Sequence, residues 1–363
     1  MFQNDTIEEK PITLHPLTID LTSSKKEKED RDYQIRTADE AVNSLKTFKK
    51  INIISPTGTG KTYISVLISK HENLREVLGI KKNKKIKILF LAHMHHLLFQ
   101  AQKVYMEEPN VEVILQSVFQ PVPKEVIQNG WDLCFMDESH HEPIMSIQEQ
   151  LPYIMHKPII GFTATPRRSD NLLLKFEKEI YSISREEAVA RGFIAETDLH
   201  TVMDLSGVNK FEITSILLKK FHEEMNRCII FMRTKKEALS INKYLEGLNR
   251  SSVSLSDNMS GTEVTKALSA FSNGKLDFIV NCGKINEGID VSGCDNVILA
   301  KEYLSIGQMN QNIGRAARPD SDCNVWQLSP LNKKSLDARD IVGKPKSHRL
   351  IEIYHDYCDY NYF

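Results

Sequence analysis

Long hydrophobic runs, a secretion signal and closely spaced cysteine pairs are absent from this sequence of 363 residues. No stretch approaches the roughly 18 consecutive apolar residues that a membrane-spanning helix requires. The start, MFQNDTIEEK, has neither a signal-peptide apolar segment nor an arginine-rich transit pattern. The six cysteines are scattered without a C-x-x-C pair, which is typical of reduced thiols. We therefore expect an intracellular, cytoplasmic protein, and association with a nucleoid or nucleus is compatible with the same observations.

An excess of charge of one sign is also absent. The 47 basic and 48 acidic residues give a formal net charge of -1. Global charge therefore neither indicates nor excludes a nucleic-acid partner, and any binding of phosphates has to come from a local basic surface. The length and the hydrophobic content of 41% are sufficient for two ordinary domains, each with its own core.

The sequence does contain two successive sets of apolar runs that alternate with helical patterns. Strands that alternate with helices indicate a parallel sheet covered on both faces, so the expected fold class is α/β with two such sheets. In the second set, Thr234 with Glu237 and Ser260 with Glu263 match the capping box that begins a helix. The apolar runs are INIIS, IKILFLA, VEVIL, WDLCFM and PIIGF, then CIIFM, SVSL, DFIV and NVILA.

The same patterns predict the domain boundaries. Residues 1–30 lack periodicity and end in the charge run KKEKED, which predicts a flexible N-terminal arm. The first domain is expected over residues 31–190 and the second over residues 191–340. Residues 341–363 are rich in aromatic side chains, and we expect a C-terminal tail or helix there.

A phosphate-binding loop is predicted where INIIS runs into PTGTGKT and then into a helical pattern. Gly58 and Gly60 allow a tight turn that points backbone amides toward phosphate oxygens. Lys61 is the candidate for binding the terminal phosphates of ATP, and Thr62 is the candidate ligand for Mg²⁺. The other loop residues expected to contact the nucleotide are Pro56, Thr57 and Thr59.

Two carboxylates are expected beside that loop. Asp137 and Glu138 follow WDLCFM at the predicted carboxyl end of a strand, where open parallel sheets bind their ligands. Asp137 is predicted to hold Mg²⁺, and Glu138 to orient or deprotonate the attacking water. The alternative is an acidic turn that only ends a strand, and the upstream loop argues against it.

These residues and further motifs, in order from about Arg31 to Arg318, resemble the superfamily 2 helicases and translocases. The sequences of the motifs are similar to those in the branch that contains restriction-enzyme motor subunits and repair or organellar DNA helicases. The resemblance implies two tandem RecA-like domains with the ATP site in the cleft between them. The motifs are RDYQ, SPTGTGKT, LFLAHMHHLLFQ, LQSVFQ, MDESHH, GFTATPRR, CIIFMRTKKEA, NCGKINEGIDVSGCDNVILA and QNIGRAAR.

The resemblance also assigns residues to the ATP site. Arg315 and Arg318 are implied to be finger residues that the second domain supplies, and Gln311 is implied to sense the γ-phosphate. Such an arginine finger accelerates phosphoryl transfer by roughly 10³ to 10⁵. Gln34 is implied to contact the base, and Asp290 is implied to contact the ribose or an arginine near the cleft. The other residues implied to bind the nucleotide are Arg31 and Gly288.

Further residues are implied to couple ATP to nucleic acid or to bind it. The motif MDESHH contains DESH, where relatives have DEAD, DEAH or DECH. Asn281 and Cys282 stand where many relatives carry a threonine-bearing segment. The implied coupling residues are His140, Thr163 and Thr165. The implied nucleic-acid contacts are His93, Ser117, Arg233, Thr234 and Asn281.

The expected function is ATP-dependent movement along a nucleic acid, or its remodelling, with ATP and Mg²⁺ as cofactors and DNA favoured over RNA. One alternative is an RNA helicase or remodeller with the same motor. The other is a nucleotide-gated scaffold subunit with low turnover in a larger complex. The N-terminal arm and the C-terminal tail are docking candidates for a protein partner, and no membrane association is expected.

Overall fold

The computed structural model describes residues 31–92, 105, 108–118, 120–141, 154, 156–165, 175–205, 207, 209–256, 259–283, 285, 291, 293–319, 322–329, 335–354 and 358–362. Residues from Asp32 onward form one unit, which holds both sheets. No helix in these ranges is long and apolar enough to cross a membrane.

The first sheet has six strands: β1 (Lys50–Ile54), β2 (Ile86–Ala92), β3 (Val111–Ser117), β4 (Leu133–Asp137), β5 (Ile159–Thr163) and β6 (Lys178–Tyr181). They lie in the order β3-β2-β4-β5-β1-β6, and every pair is parallel. The inner strands are buried along almost their whole length, which explains their nearly unbroken apolar sequences. The described helices of this half are α1 (Asp32–Ser44), α2 (Lys61–Lys70), α3 (Leu74–Val77) and α4 (Lys124–Asn129).

The carboxyl ends of three inner strands meet at one edge of this sheet. Ile54 of β1 pairs with Thr163 of β5, and Asp137 of β4 pairs with Phe162 of β5. The phosphate-binding loop follows β1 directly, so it begins at the same edge as Asp137 and Thr163. Because all the pairs are parallel, the topology itself gathers these residues.

The second sheet has eight strands: β7 (Thr197–Asp204), β8 (Cys228–Phe231), β9 (Ser252–Ser256), β10 (Phe278–Cys282), β11 (Asn296–Leu299), β12 (Cys323–Ser329), β13 (Ser347–Ile353) and β14 (Cys358–Tyr362). Their order is β14-β13-β7-β12-β11-β8-β10-β9, and only β14 is antiparallel to its neighbour. The described helices are α5 (Arg185–Ala190), α6 (Lys210–Phe221), α7 (Lys235–Gly247), α8 (Gly261–Ser272), α9 (Ile306–Ile313) and α10 (Arg339–Val342). Both predicted capping boxes are present, at the starts of α7 and α8. The predicted α/β class with two parallel sheets is confirmed.

The prediction of a tail or helix over residues 341–363 was wrong. Strand β13 pairs with β7 in parallel, and β14 then pairs with β13. Arg349, Ile351 and Ile353 are buried at every second position of β13, which is the period of a strand. The backbone of β7 supplies the hydrogen-bonding partner, and the aromatic composition of this segment gave no sign of that long-range pairing.

The connection between the sheets runs through α5, and the predicted boundary at residues 190 and 191 falls at its end. The Tyr33 ring of α1 lies 5.4 Å from the Phe193 ring, which follows α5. Tyr33 also belongs to an apolar cluster that includes Ile229 of β8 and Met309 of α9. Helix α1 also contacts β1 and β6, so it is packed against both the first sheet and the core of the second.

Candidate nucleotide and nucleic-acid sites

The loop between β1 and α2 has the backbone that a phosphate site requires. Gly58 and Gly60 have φ values of 89° and 84°, a left-handed conformation that favours glycine. Side-chain hydrogen bonds hold the loop, because Ser55 Oγ lies 2.6 Å from Thr59 Oγ1 and Thr59 Oγ1 donates to Pro56 O. The loop leads into the N-terminus of α2, where unpaired amides and the helix dipole favour an anion.

Helix α1 fixes the loop from the other side. Tyr33 donates its hydroxyl to Thr59 O over 2.5 Å, and Gln34 Nε2 donates to the same oxygen over 2.9 Å. A Cβ on Gly60 would lie only 2.8 Å from Gln34 Nε2, so glycine is also needed there for close approach. The structure therefore brings Gln34 to the loop, and Arg31 directly precedes α1 in the sequence. Sequence reasoning missed Tyr33, although its place inside RDYQ was a signal.

The two predicted carboxylates lie at the same sheet edge and are buried. Glu138 has φ 48°, and its N–H donates to Asp137 Oδ1 over 3.0 Å. Lys61 Nζ lies 3.7 Å from Glu138 Oε1, across the strand β5 that separates β1 from β4. Thr62 is the second residue of α2, next to Lys61. The predicted phosphate-binding and acidic residues are thus brought together.

A polar network extends from Glu138 through the predicted coupling residues. His140 Nδ1 lies 3.4 Å from Glu138 Oε2 and 3.1 Å from Thr163 Oγ1. The Thr163 hydroxyl donates to Thr165 O and accepts from Thr165 N–H. On the second-sheet side, a Cβ on Gly307 of α9 would lie 3.6 Å from His140 Nε2. His140 therefore touches the carboxylate of one sheet and the helix of the other.

Helix α9 and the turn after it contact the phosphate-binding loop. A Cβ on Gly314 would lie 2.6 Å from Thr57 Cγ2, and one on Gly58 would lie 3.8 Å from Ala317 O. Arg315 and Arg318, in the same turn, therefore lie next to the loop. Arg315 is buried, and burial lowers the pKa of the Arg318 guanidinium.

Two buried polar groups at this junction lack a partner within the described part of the chain. Gln311, 4% exposed on α9, has no hydrogen bond from either atom of its side-chain amide, and Thr57 Oγ1 has none. Such groups cost free energy until a ligand or water satisfies them. Together with the loop backbone and Lys61, they fit a bound nucleoside triphosphate.

The other residues predicted to contact nucleic acid or nucleotide differ in their exposure and in whether the structure describes them. Ser117 is buried at the carboxyl end of β3, and Arg233 is exposed after β8. Thr234 is exposed, but its hydroxyl is engaged with Glu237 in the capping box. His93, Gly288 and Asp290 lie outside the described residues.

The structure corrects the prediction that Asn281 contacts nucleic acid. Its side chain is 2% exposed, Nδ2 donates to Ile285 O over 3.1 Å, and Oδ1 accepts from Ile285 N over 2.8 Å. Both ends of the amide are therefore used inside the chain. The predicted nucleic-acid contact through this side chain does not agree with the structure, where Asn281 shapes the loop that follows β10.

Sequence reasoning missed a hydrogen-bonded pair of polar side chains, Ser139 and Asn52, beside Asp137 and Glu138. Ser139 Oγ donates to Asn52 Oδ1 over 2.7 Å, which ties the turn after Glu138 to the middle of β1. A Cβ on Gly161 of β5 would lie 2.7 Å from Ser139 Cβ, so the strand between them has to carry glycine. The signal was the lone asparagine in the apolar run INIIS.

Comparison with known proteins gives two family matches and distant relatives. The family described as type III restriction enzyme, res subunit, matches residues 27–118, and the helicase conserved C-terminal domain matches residues 209–320. The putative ATP-dependent helicase IRC3 of Saccharomyces cerevisiae is 26% identical and is aligned over 79% of this chain and 49% of its own length. The ATP-dependent RNA helicase DBP3 of Ajellomyces capsulatus is 23% identical, over 55% of this chain and 42% of its own length. The chain thus spans about half the length of these relatives.

A solved structure shares the fold. The fragment of a putative HsdR subunit of a type I restriction enzyme from Vibrio vulnificus YJ016 superposes with a TM-score of 0.70 at 22% identity. The match covers 89% of this chain and 68% of that chain. The fold is therefore that of tandem RecA-like domains. By its two family matches and its helicase relatives, the chain is similar to superfamily 2 of the helicases and translocases.

Proposed function

We propose that this protein hydrolyses ATP to move along DNA or to remodel it, as a helicase or translocase. The contact of Gly314 and Ala317 with the phosphate-binding loop carries the proposal. Arg315 and Arg318 belong to the same turn as Gly314 and Ala317, which supports their proposed role as finger residues at this loop. The binding site for the nucleotide is then formed by residues of both sheet units. The approach of the two units and ATP hydrolysis are therefore coupled.

The chemistry of hydrolysis follows from the residues at the loop. The loop amides and Lys61 bind phosphate oxygens, and Arg315 and Arg318 stabilise the negative charge that builds up in the transition state. Thr62 and Asp137 would hold Mg²⁺, which neutralises phosphate charge when bound. Phosphates give the Lys61 ammonium a second anionic partner beside Glu138. The Glu138 carboxylate then orients the attacking water or takes its proton.

Other residues give the site its remaining contacts. Gln311, whose amide atoms are otherwise unsatisfied, hydrogen bonds to the γ-phosphate. The residues proposed for further contacts with the nucleotide are Arg31, Gln34, Gly288 and Asp290. The loop residues proposed to contact the nucleotide are Pro56, Thr57, Gly58, Thr59 and Gly60.

The polar network beside Glu138 is the proposed coupling device. His140 touches Glu138, Thr163 and the second-sheet helix at Gly307, so a change of charge at the carboxylate alters a contact between the halves. Thr163, the last residue of β5, and Thr165 extend the network into the segment that follows the strand. Hydrolysis would thereby change how the halves meet.

The phosphate backbone of the nucleic acid is proposed to contact His93, Ser117, Arg233 and the main chain at Thr234. Such binding weakens with salt and has little sequence preference. The restriction-enzyme family match and the HsdR neighbour support DNA. The relative named as an RNA helicase supports RNA as the second candidate.

Steady-state ATP hydrolysis tests the proposal. Turnover is measured without polymer and with single-stranded DNA, duplex DNA or RNA, beside a Glu138→Gln variant. We expect one DNA form to stimulate turnover and the variant to lose it, since the amide cannot take a proton. Stimulation by RNA alone would show that the substrate is RNA and not DNA. Binding of ATP without stimulation by any polymer would favour the scaffold subunit.

A further inference from the structure

The carboxyl ends of β11, β8 and β10 lie side by side in the second sheet. Leu299 pairs with Phe231, so two residues later Lys301 and Arg233 leave the sheet next to each other. Ala300 N–H donates to Phe231 O over 3.1 Å, which continues the ladder beyond the strands. The edge therefore presents two cations from neighbouring strands, and sequence reasoning identified only Arg233.

The Lys301 side chain lies beside Tyr303 at this edge. Its ammonium lies 5.1 Å from the centre of the Tyr303 ring and within electrostatic reach of the Cys282 thiol on β10. Cys282 Sγ in turn lies 3.5 Å from Arg233 O. Cys282, at the end of β10, and Arg233, after β8, therefore lie at the same edge of the sheet as Lys301.

Lys301 is half-buried without a carboxylate partner. Burial lowers the pKa of the Lys301 ammonium, and the part of the chain that is described gives it no hydrogen bond and no ion pair. The carboxylates of Glu302 and Asp204 interact electrostatically with Lys210, at the start of α6. A cation that has lost part of its hydration without gaining an anion is well placed to bind one.

We propose that Lys301, together with Arg233, binds the phosphodiester backbone of a nucleic-acid strand that crosses the ends of β8, β10 and β11. This inference rests on the proposed function, because it assigns a contact to the same nucleic-acid substrate. The ligand is a phosphate oxygen and not a base, since the edge presents cations at the sheet end and the Tyr303 ring is fully buried. The contact adds about one released counterion to binding.

The test is the salt dependence of oligonucleotide binding. Lys301→Met keeps the apolar stem over Tyr303 and removes the charge, whereas Lys301→Arg keeps the charge. Lys275→Met is the matched control, because Lys275 is exposed at the opposite end of the sheet, before β10. Fluorescent single-stranded and duplex oligonucleotides are titrated between roughly 50 and 200 mM salt.

We expect Lys301→Met to reduce the slope of log affinity against log salt by about 0.7 for single strands and 0.9 for duplex. Affinity then falls by roughly fivefold to tenfold at about 0.1 M salt. Lys301→Arg and Lys275→Met should keep the wild-type slope. An unchanged slope in Lys301→Met, or equal losses in Lys301→Arg or Lys275→Met, overturns the inference. If the wild-type protein binds no oligonucleotide, the proposed function fails as well, so the two failures are distinguishable.

Discussion

Replacing Gly314 by alanine should impair ATP hydrolysis through one steric contact. The added Cβ would lie 2.6 Å from Thr57 Cγ2 and 2.9 Å from Thr57 Cβ, about 1 Å closer than carbon atoms normally pack. The φ of Gly314 is -60°, so alanine is not excluded by the backbone. The cost arises from the approach of the two halves and should be about 1–3 kcal/mol, the usual range for overpacking. That corresponds to roughly a 5- to 150-fold loss of kcat/KM for ATP.

Two companion variants make this prediction specific. Gly307→Ala changes a glycine on the same helix, but its Cβ would meet His140 and Thr165 at 3.6 and 3.7 Å, which is ordinary contact. It should hydrolyse ATP like the wild type. Thr57→Ser removes the closest atom and should restore part of the activity to Gly314→Ala in the double variant. Equal kcat/KM for Gly314→Ala and the wild type, or no recovery in the double variant, would refute the steric reasoning.

Three further predictions concern the other buried polar groups. Gln311→Ala should raise KM and lower kcat for ATP by roughly tenfold or more, because it removes the proposed γ-phosphate contact; unchanged kinetics would contradict that role. Asn281→Ala removes two hydrogen bonds to Ile285 and should lower the free energy of unfolding by about 1–3 kcal/mol, measured by denaturant titration. A loss of oligonucleotide affinity at full stability would instead restore a direct contact. Burial lowers the pKa of His200 to about 4, so the unfolded chain binds the extra proton first as pH falls below about 6.5. Stability should therefore decrease by up to about 3 kcal/mol between pH 7 and pH 4.5, and His200→Phe, which keeps a ring stacked on Trp326, should flatten that dependence; an equally steep loss in the variant would count against it.

Local patterns were sufficient for most of the fold and for the phosphate site. The runs INIIS, IKILFLA, VEVIL, WDLCFM and PIIGF became five of the six strands of the first sheet. Their apolar sequences reflect burial on both faces, a property that each segment carries by itself. The polar strands β6, β7, β12, β13 and β14 were missed, because hydrogen bonds with distant segments define them.

The sequence by itself determined that a glycine loop, a lysine and two carboxylates would meet, because parallel strands deliver their carboxyl ends to one edge. It also identified the second-sheet arginines through a resemblance to a known family. Only the tertiary structure decided how the halves meet, with Gly314 against Thr57 and His140 beside Gly307. It alone showed that the Asn281 amide is hydrogen-bonded to Ile285 within the chain, and that Lys301 leaves the sheet beside Arg233. These are contacts between segments far apart in sequence, and their distances depend on packing that no local pattern records.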